Sequence, residues 1–145
     1  MGETNAYSDI FLSRPLTVFD VYGVLTVNAG EITAGHYESE YYTYTDGYIY
    51  ADSSPSPGTV NSITPGNAVV VKSGGRFVSN GGEYYGRGFT IDDEGQKDSA
   101  CAAVKLLRGA EAVIYAGDFY GKSCADVFSV GDRVDLTVYA GNFYA

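Results

Sequence analysis

The sequence predicts an all-β protein made of many short strands joined by tight corners. Its 145 residues include 19 Gly, 14 Tyr and 7 Phe but no Trp. Tyr favours strands and Gly favours corners. The hydrophobic fraction of 45% excludes a disordered chain, and the length fits a single domain with its own core. The observation that decides which all-β fold to expect is internal repetition.

Four segments of the sequence align on one glycine, at Gly30, Gly82, Gly117 and Gly141. Each has the pattern apolar-x-apolar-x-[Ala/Gly]-Gly-[acid/Asn]-[aromatic/Ile]. A period of roughly 20 residues with short strands and Gly corners is typical of a β-solenoid, in which successive coils stack as parallel strands. We therefore predict a short parallel β-helix within one β-rich domain, 1–145. Its repeat units lie at about 16–35, 66–86, 101–121 and 124–145.

Stacking these units places equivalent residues in columns along the coil axis, and alternation along each strand sorts the columns into inward and outward sets. The inward columns are Leu25–Phe77–Ala112–Leu136, Val27–Ser79–Ile114–Val138 and Ile32–Tyr84–Phe119–Phe143. The outward columns are Thr33–Tyr85–Tyr120–Tyr144, Asn28–Asn80–Tyr115–Tyr139 and Glu31–Glu83–Asp118–Asn142. Ser79 is the one residue that fits its inward column poorly.

One segment also supports a different fold. Ser99 suits a helix N-cap, Ala100–Leu107 a helical body and Gly109 a helix stop. This alternative predicts a small β-sandwich or β-barrel-like decoration fold with one short helix. The strand interpretation is favoured because CAAV at Cys101 matches CADV at Cys124.

The units VSNGGEYYG and VIYAGDFYG, which end at Gly86 and Gly121, carry a resemblance to a known group of repeats. They resemble the tandem Gly-Gly-x-[Phe/Tyr]-x-Gly repeats of parallel β-helix regions in bacterial cell-surface, adhesin-like and phage fibre proteins. The resemblance covers 16–35 and 66–145. It implies a structural or adhesive role, and some longer relatives cleave polysaccharides.

Two insertions interrupt the repeats. In the first, 36–65, the alternating residues around Asp46-Gly47 predict a protruding β-hairpin, because Asp-Gly favours a two-residue type I′ turn. The second insertion, 87–100, is a loop. Protruding loops of solenoids are common binding sites, and tyrosine offers a rigid ring and a hydroxyl. The candidate binding residues are Tyr41, Tyr44, Tyr48 and Tyr50 of the hairpin, with Tyr85 and Tyr120 of the outward column.

Acidic residues, two cysteines and one histidine are the remaining candidates for metal binding, a disulfide or catalysis. Asp92, Asp93 and Glu94 could hold Ca²⁺ through their oxygens, although a charged loop tip is the favoured interpretation. The acidic column at Glu31 could bind Ca²⁺ in the same way, or form a solvated corner. Cys101 and Cys124 would suit a disulfide if they occupy equivalent positions on neighbouring coils, with two separate thiols as the alternative. His36 shows no pairing with a cysteine that would indicate nucleophilic catalysis.

Charge and hydropathy exclude several function classes. A net charge of −9 argues against binding nucleic acid or an anionic membrane surface. No apolar run approaches the ~18–20 residues of a membrane span, and no secretory signal is apparent. One His and two Cys leave too few ligands for a zinc site of those residues alone.

These observations predict a non-enzymatic structural subunit of an extracellular filament or of a phage fibre or virion. Ala145 directly follows a repeat unit, so we expect an open terminal coil on which a neighbouring copy stacks. The expected location is the cell surface, the virion surface or the extracellular space, and the expected partners are copies of the same chain. The alternatives are a glycan-binding adhesin module and a polysaccharide-degrading β-helix enzyme with carboxylates among Glu83, Asp92, Asp93 and Asp118. No cofactor is expected except Ca²⁺.

Overall fold

A computed structural model of the chain describes residues 10–12, 15–38, 42–45, 48–51, 61–91, 98–99, 101–122 and 125–145. The strands within these ranges are β1 Ile10–Leu12, β2 Leu16–Val21, β3 Val24–Val27, β4 Glu31–Thr33, β5 His36–Glu38, β6 Tyr42–Thr45, β7 Tyr48–Ala51, β8 Asn61–Thr64, β9 Gly66–Val71, β10 Arg76–Arg87, β11 Phe89–Ile91, β12 Asp98–Ser99, β13 Ala102–Leu106, β14 Glu111–Lys122, β15 Asp126–Val130, β16 Asp135–Val138 and β17 Asn142–Tyr144. The predicted all-β class is confirmed. The alternative helix around Ala103 is wrong, because β13 occupies that segment.

Ten of the strands form one curled, mixed sheet that contains two parallel ladders. In the first ladder, the order is β2, β9, β13 and β15. In the second, β3 and β4 pair with β10, β10 with β14, and β14 with β16 and β17. The chain thus passes through both ladders in four successive layers. We name them layer 1 (16–33), layer 2 (66–87), layer 3 (102–122) and layer 4 (126–144).

The pairing register of the second ladder confirms the three predicted inward columns residue by residue. Phe77 pairs with Leu25 and Ala112, and Ala112 with Leu136. The columns through Ser79 and Tyr84 are paired in the same way. One outward column needs correction. A register shift after Ser79 pairs Asn80 with Ala116, so the predicted Asn–Tyr column divides into an Asn28–Asn80 pair and a Tyr115–Tyr139 pair.

The four aligned glycines share the positive φ expected of corners, although Gly82 and Gly117 lie within the continuous strands β10 and β14. Their φ angles are 108° at Gly30, 97° at Gly82, 134° at Gly117 and 149° at Gly141. Because L side chains rarely adopt such positive φ values, glycine is the residue that permits the chain to turn there. The segments that follow the four glycines are in register with one another.

The core lies between the ladders and is densest in layers 2 and 3. Phe77, Tyr84, Ala112, Ile114 and Phe119 are each fully buried, at 0% exposure. Aromatic rings pack along the axis: Tyr84 stacks on Phe119 at 4.6 Å between centroids, and Phe119 stacks on Phe143 at 5.3 Å. Apolar burial of this kind is the main favourable contribution to the stability of a fold.

Ser79 is accommodated in its inward column because its hydroxyl is within hydrogen-bonding distance of the tyrosine in the neighbouring column. Its hydroxyl lies 2.9 Å from the Tyr84 hydroxyl, and both groups are buried. Ser79 donates to the Ala116 carbonyl at 2.6 Å, and Tyr84 donates to the Gly81 carbonyl at 2.8 Å. Both carbonyls belong to the segment where the register shifts, so the two hydroxyls satisfy backbone oxygens at a break in the ladder.

The strands of the two insertions, together with β1, form two smaller sheets. One has the order β1-β8-β5 and the other β12-β11-β7-β6. The predicted hairpin is confirmed by the antiparallel pairing of β6 with β7, in which Thr45 faces Tyr48 across residues 46–47. The sequence did not indicate that β7 also pairs in parallel with β11, which joins strands of both insertions in one sheet.

Candidate functional site: two open ends and a tyrosine face

Layer 1 forms the first open end of the central sheet. Its strands β2, β3 and β4 each have a partner on one side only among the described strands. Large apolar side chains are exposed on this layer: Leu16 (61%), Val18 (46%), Phe19 (41%), Tyr22 (71%) and Val24 (70%). An open depression of about 650 Å³ leads inward past Leu25, Val27 and Ile32. The inward columns therefore reach the surface here.

Layer 4 forms the second open end. Within the described chain, β15 pairs only with β13, and β16 and β17 pair only with β14. Its exposed apolar side chains are Val130 (51%), Val138 (46%), Tyr139 (68%), Phe143 (43%) and Tyr144 (46%). Exposed strand edges that also carry apolar side chains are typical of surfaces that another strand covers.

The two ends match when the columns are followed from layer 1 to layer 4. The column that begins at Phe19 ends at Phe128, and the column that begins at Leu25 ends at Leu136. In three further columns, a charged residue at one end of the column corresponds to an uncharged residue at the other end. The three such columns run from Asp20 to Ser129, from Glu31 to Asn142 and from Val24 to Asp135. If a second copy continued the ladder, the two aromatic or aliphatic columns would bring like side chains together, and the three charged columns would bring no charges of the same sign together.

A ladder of tyrosines lies on the outward side of the second ladder. Tyr85 stacks on Tyr120 at 4.4 Å with an interplanar angle of 3°, and Tyr120 stacks on Tyr144 at 4.6 Å and 10°. Tyr115 and Tyr139 form a separate stack at 5.1 Å. The Lys122 ammonium lies 5.0 Å from the Tyr120 centroid, within cation–π range. We call these five tyrosines the tyrosine face.

The hydroxyl of Tyr85 is held by a carboxylate. It donates to Glu83 Oε2 at 2.7 Å, and Thr33 donates to Glu31 Oε1 at 2.6 Å in the equivalent arrangement of layer 1. The hydrogen bond to Glu83, together with desolvation and nearby negative charge, raises the pKa of Tyr85 above its ordinary value of 10.0. Desolvation and the charge of Asp118 raise the pKa of Tyr120 as well.

The predicted acidic column is also present. Glu83 pairs with Glu31 and Asp118, and Asn142 ends the column by donating from Nδ2 to Asp118 Oδ1 at 2.7 Å. A groove of about 380 Å³ runs past these three carboxylates. Among the residues that the structure describes, no three Asp, Glu, His or Cys side chains group closely enough to hold a metal ion.

Only some of the remaining candidate residues lie within the part of the chain that the structure describes. Tyr41, Asp92, Asp93, Glu94 and Cys124 lie outside the described residues, so their predicted roles stay predictions. Tyr44 pairs with Ile49, Tyr48 with Thr45 and Tyr50 with Thr43, which places them within one hairpin. His36 begins β5 and pairs with Thr64.

Cys101 is buried, at 1% exposure, just before β13. The register pairs Ala102 with Asp126, an offset of 24 residues, whereas the CAAV and CADV segments align at an offset of 23. A shift of one residue exchanges the two faces of a strand. The equivalence on which the disulfide was argued is therefore displaced by one position, and the disulfide stays a prediction.

Sequence reasoning missed the exposed residues of β2. The segment 16–21 lacks the glycine pattern, and its pairing with β9 appears only in three dimensions. A signal for the first ladder is nevertheless present in the sequence, because 68–86 aligns with 103–121 without a gap and this alignment carries Val69 onto Val104.

Comparison with known proteins finds no family model, curated protein or solved structure that matches the chain. In the described part of the chain, no helix has the length and apolar character needed to cross a bilayer. The geometry of the ends and of the tyrosine face is therefore the basis for the functional proposals below.

The arrangement of the tyrosine face limits what it can bind. Both ring faces of Tyr120 are covered, by Tyr85 on one side and Tyr144 on the other. Sugar binding by tyrosine uses an open ring face, so the middle of this stack offers edges and hydroxyls only. The open backbone edges and the apolar ends offer the more extensive surface.

Proposed function

We propose that this protein is a non-enzymatic structural subunit that assembles end to end, with layer 4 of one copy pairing with layer 1 of the next. The central sheet would then continue through successive copies as a parallel β-helix. The observation that carries the proposal is the match between the two open ends, column by column. An interface between two different surfaces of the same chain does not close on itself unless the rotation permits, so it produces a filament or fibre.

The energetic reason is the state of the two ends in a single copy. Phe19, Val24, Val130 and Phe143 are at least 41% exposed, and their strands have an open edge among the described residues. Stacking would bury this apolar surface at about 25 cal/mol per Å² and would pair the edge amides and carbonyls. The filament or fibre setting, outside a cell or on a virion, is part of the same proposal and rests on the resemblance of the repeats.

A charge-reversal design tests the interface without disturbing the single copy. Within one chain, Val24 pairs with Arg76, and Arg76 forms an ion pair with Glu111 at 3.0 Å. In the stack, Val24 would keep this neighbour and would also face Asp135 of the next copy across the open edge. The V24E carboxylate therefore sits beside Arg76 in the single copy but beside Asp135 across the interface. We expect V24E to weaken assembly about three- to tenfold by like-charge repulsion.

The matched control is V24E/D135K. The lysine would lie beside Glu111 in its own chain and beside the new carboxylate of the next copy, so we expect assembly to recover. The measurements are light scattering against protein concentration and negative-stain microscopy. The wild-type chain should form species that grow with concentration, and the effect of V24E should shrink at high salt. A wild-type chain that stays monomeric at every concentration, or a V24E chain that assembles as the wild type does, overturns the proposal.

A further inference from the structure

The pair Tyr85–Tyr120 combines two features that favour one-electron oxidation. The rings are nearly parallel, with 4.4 Å between centroids, so an electron can transfer from one ring to the other. The Tyr85 hydroxyl donates to Glu83 Oε2 at 2.7 Å, and this carboxylate can take the phenolic proton as the electron leaves. A phenol bonded to a base in this way loses its electron more readily than one bonded only to water, because no charged phenol cation has to form.

We propose that Tyr85 and Tyr120 are an oxidative cross-linking site, at which a haem peroxidase acting with hydrogen peroxide couples the two phenols into dityrosine. In the single copy, Tyr144, 46% exposed and stacked on Tyr120 at 4.6 Å, is where the oxidant reaches the ladder from solvent. An oxidising equivalent taken up at Tyr144 passes through Tyr120 to Tyr85, where Glu83 accepts the proton. The site lies within one chain and does not depend on end-to-end assembly.

The coupling step balances as follows. Each phenol loses one electron to the peroxidase and its hydroxyl proton, from Tyr85 to Glu83 and from Tyr120 to solvent. The two resulting radicals join through the ring carbons ortho to oxygen, forming one C–C bond. The hydrogen on each of these carbons then moves to the phenolic oxygen, which restores both aromatic rings. Overall two phenols and one hydrogen peroxide give one dityrosine and two waters.

The other stacks in the tyrosine face have less favourable geometry for the same step. The residue two positions before Tyr144 is Asn142, an amide that donates to Asp118 and is not a proton acceptor comparable to Glu83. Tyr115 and Tyr139 lie 5.1 Å apart, farther than Tyr85 and Tyr120. Coupling is therefore expected first between layers 2 and 3, where it adds a covalent bond to an in-register backbone pair.

The experiment treats the full chain with a haem peroxidase and hydrogen peroxide and maps dityrosine by mass spectrometry of digested monomer. The expected product is a cross-linked peptide pair containing Tyr85 and Tyr120, lighter by two hydrogens than the sum of the two peptides. Y85F should abolish this product. E83Q keeps the aromatic stack but supplies a weaker base, so the initial rate of cross-linking should fall several-fold.

Y22F is the matched control, because Tyr22 is 71% exposed and its ring neighbour is the Lys72 ammonium rather than another tyrosine. Near-ultraviolet circular dichroism of E83Q checks that the tyrosine stack is intact. The proposal is overturned by the absence of a Tyr85–Tyr120 product, by cross-links that involve Tyr22 as often as Tyr85, or by an unchanged rate in E83Q.

Discussion

The inner layers 2 and 3 and the outer layers 1 and 4 share one pattern of residues but differ in how much of it is buried. In the column through Tyr84, Tyr84 and Phe119 are fully buried, whereas Phe143 at the end of the column is 43% exposed. The backbone pairing of these residues is the same in kind. In this column, Phe143 of layer 4 is therefore left partly open where no further layer covers it, whereas Ile32 of layer 1 is 8% exposed. Both outer layers nevertheless expose large apolar side chains.

The inner layers also carry polar features that the outer layers lack. The Ser79–Tyr84 pair belongs to layer 2, where the ladder shifts register, and the same columns hold Val27 and Ile32 in layer 1 and Val138 and Phe143 in layer 4. A buried hydroxyl needs a partner, and only an inner layer encloses one fully. The comparison therefore predicts where substitutions cost most.

The largest effect is expected from F119A compared with F143A. Phe119 stacks between Tyr84 and Phe143 and also contacts Phe128 at 5.2 Å, so its removal leaves a cavity between layers. F119A should lower the free energy of unfolding by about 3–5 kcal/mol, and F143A by about 1 kcal/mol. Urea unfolding at low protein concentration measures both values.

Protein concentration sharpens the same comparison. If layer 4 is covered in the assembly, the cost of F143A should rise as copies stack, whereas the cost of F119A should not change. Equal costs of F119A and F143A in the single copy would show that burial does not separate the inner layers from the outer ones.

A smaller effect is expected from S79A. Removing the Ser79 hydroxyl deprives the Ala116 carbonyl of a donor at 2.6 Å and removes the partner 2.9 Å from the Tyr84 hydroxyl. The expected loss is about 1–3 kcal/mol of unfolding free energy. Because Y84F removes the second member of the pair, S79A/Y84F should cost less than the sum of the single substitutions. Strict additivity in this cycle would contradict the coupling of the two hydroxyls.

The smallest effect is expected from alkaline pH. The pKa of Tyr85 is raised in the folded chain, chiefly by its hydrogen bond to Glu83, so the folded state holds the phenolic proton more tightly than the unfolded state. The resulting stabilisation is complete below about pH 10, the unfolded value, and is lost as pH rises through the folded value. The advantage in Tm of the wild type over Y85F should therefore be constant up to about pH 10 and shrink as the pH rises above that value. Y22F serves as the reference, because the Tyr22 ring lies against the Lys72 ammonium and not against a carboxylate. A difference between wild type and Y85F that stays constant above about pH 10 would contradict the prediction.

Much of the second ladder could be predicted from sequence because its signal is local. Glycine at a positive φ fixes each corner, and the strand after it alternates between inward and outward residues, as Gly82, Glu83 and Tyr84 illustrate. The first ladder was harder to predict, because β2 and β15 pair through backbone bonds that leave no common motif. The Asn80 register shift and the pairing of β7 with β11 likewise depend on contacts between segments distant in sequence.

By itself, the sequence determined the all-β class, the four glycine corners and the columns of like residues, because φ preference and strand alternation are properties of short segments. Only the tertiary structure decided which members of each column are sealed and which are open, since burial depends on the layers above and below. The stacking of Tyr85 on Tyr120 and the two matching apolar ends follow from that arrangement. Local rules place a residue on a face, whereas the neighbouring layers decide whether that face is core or interface.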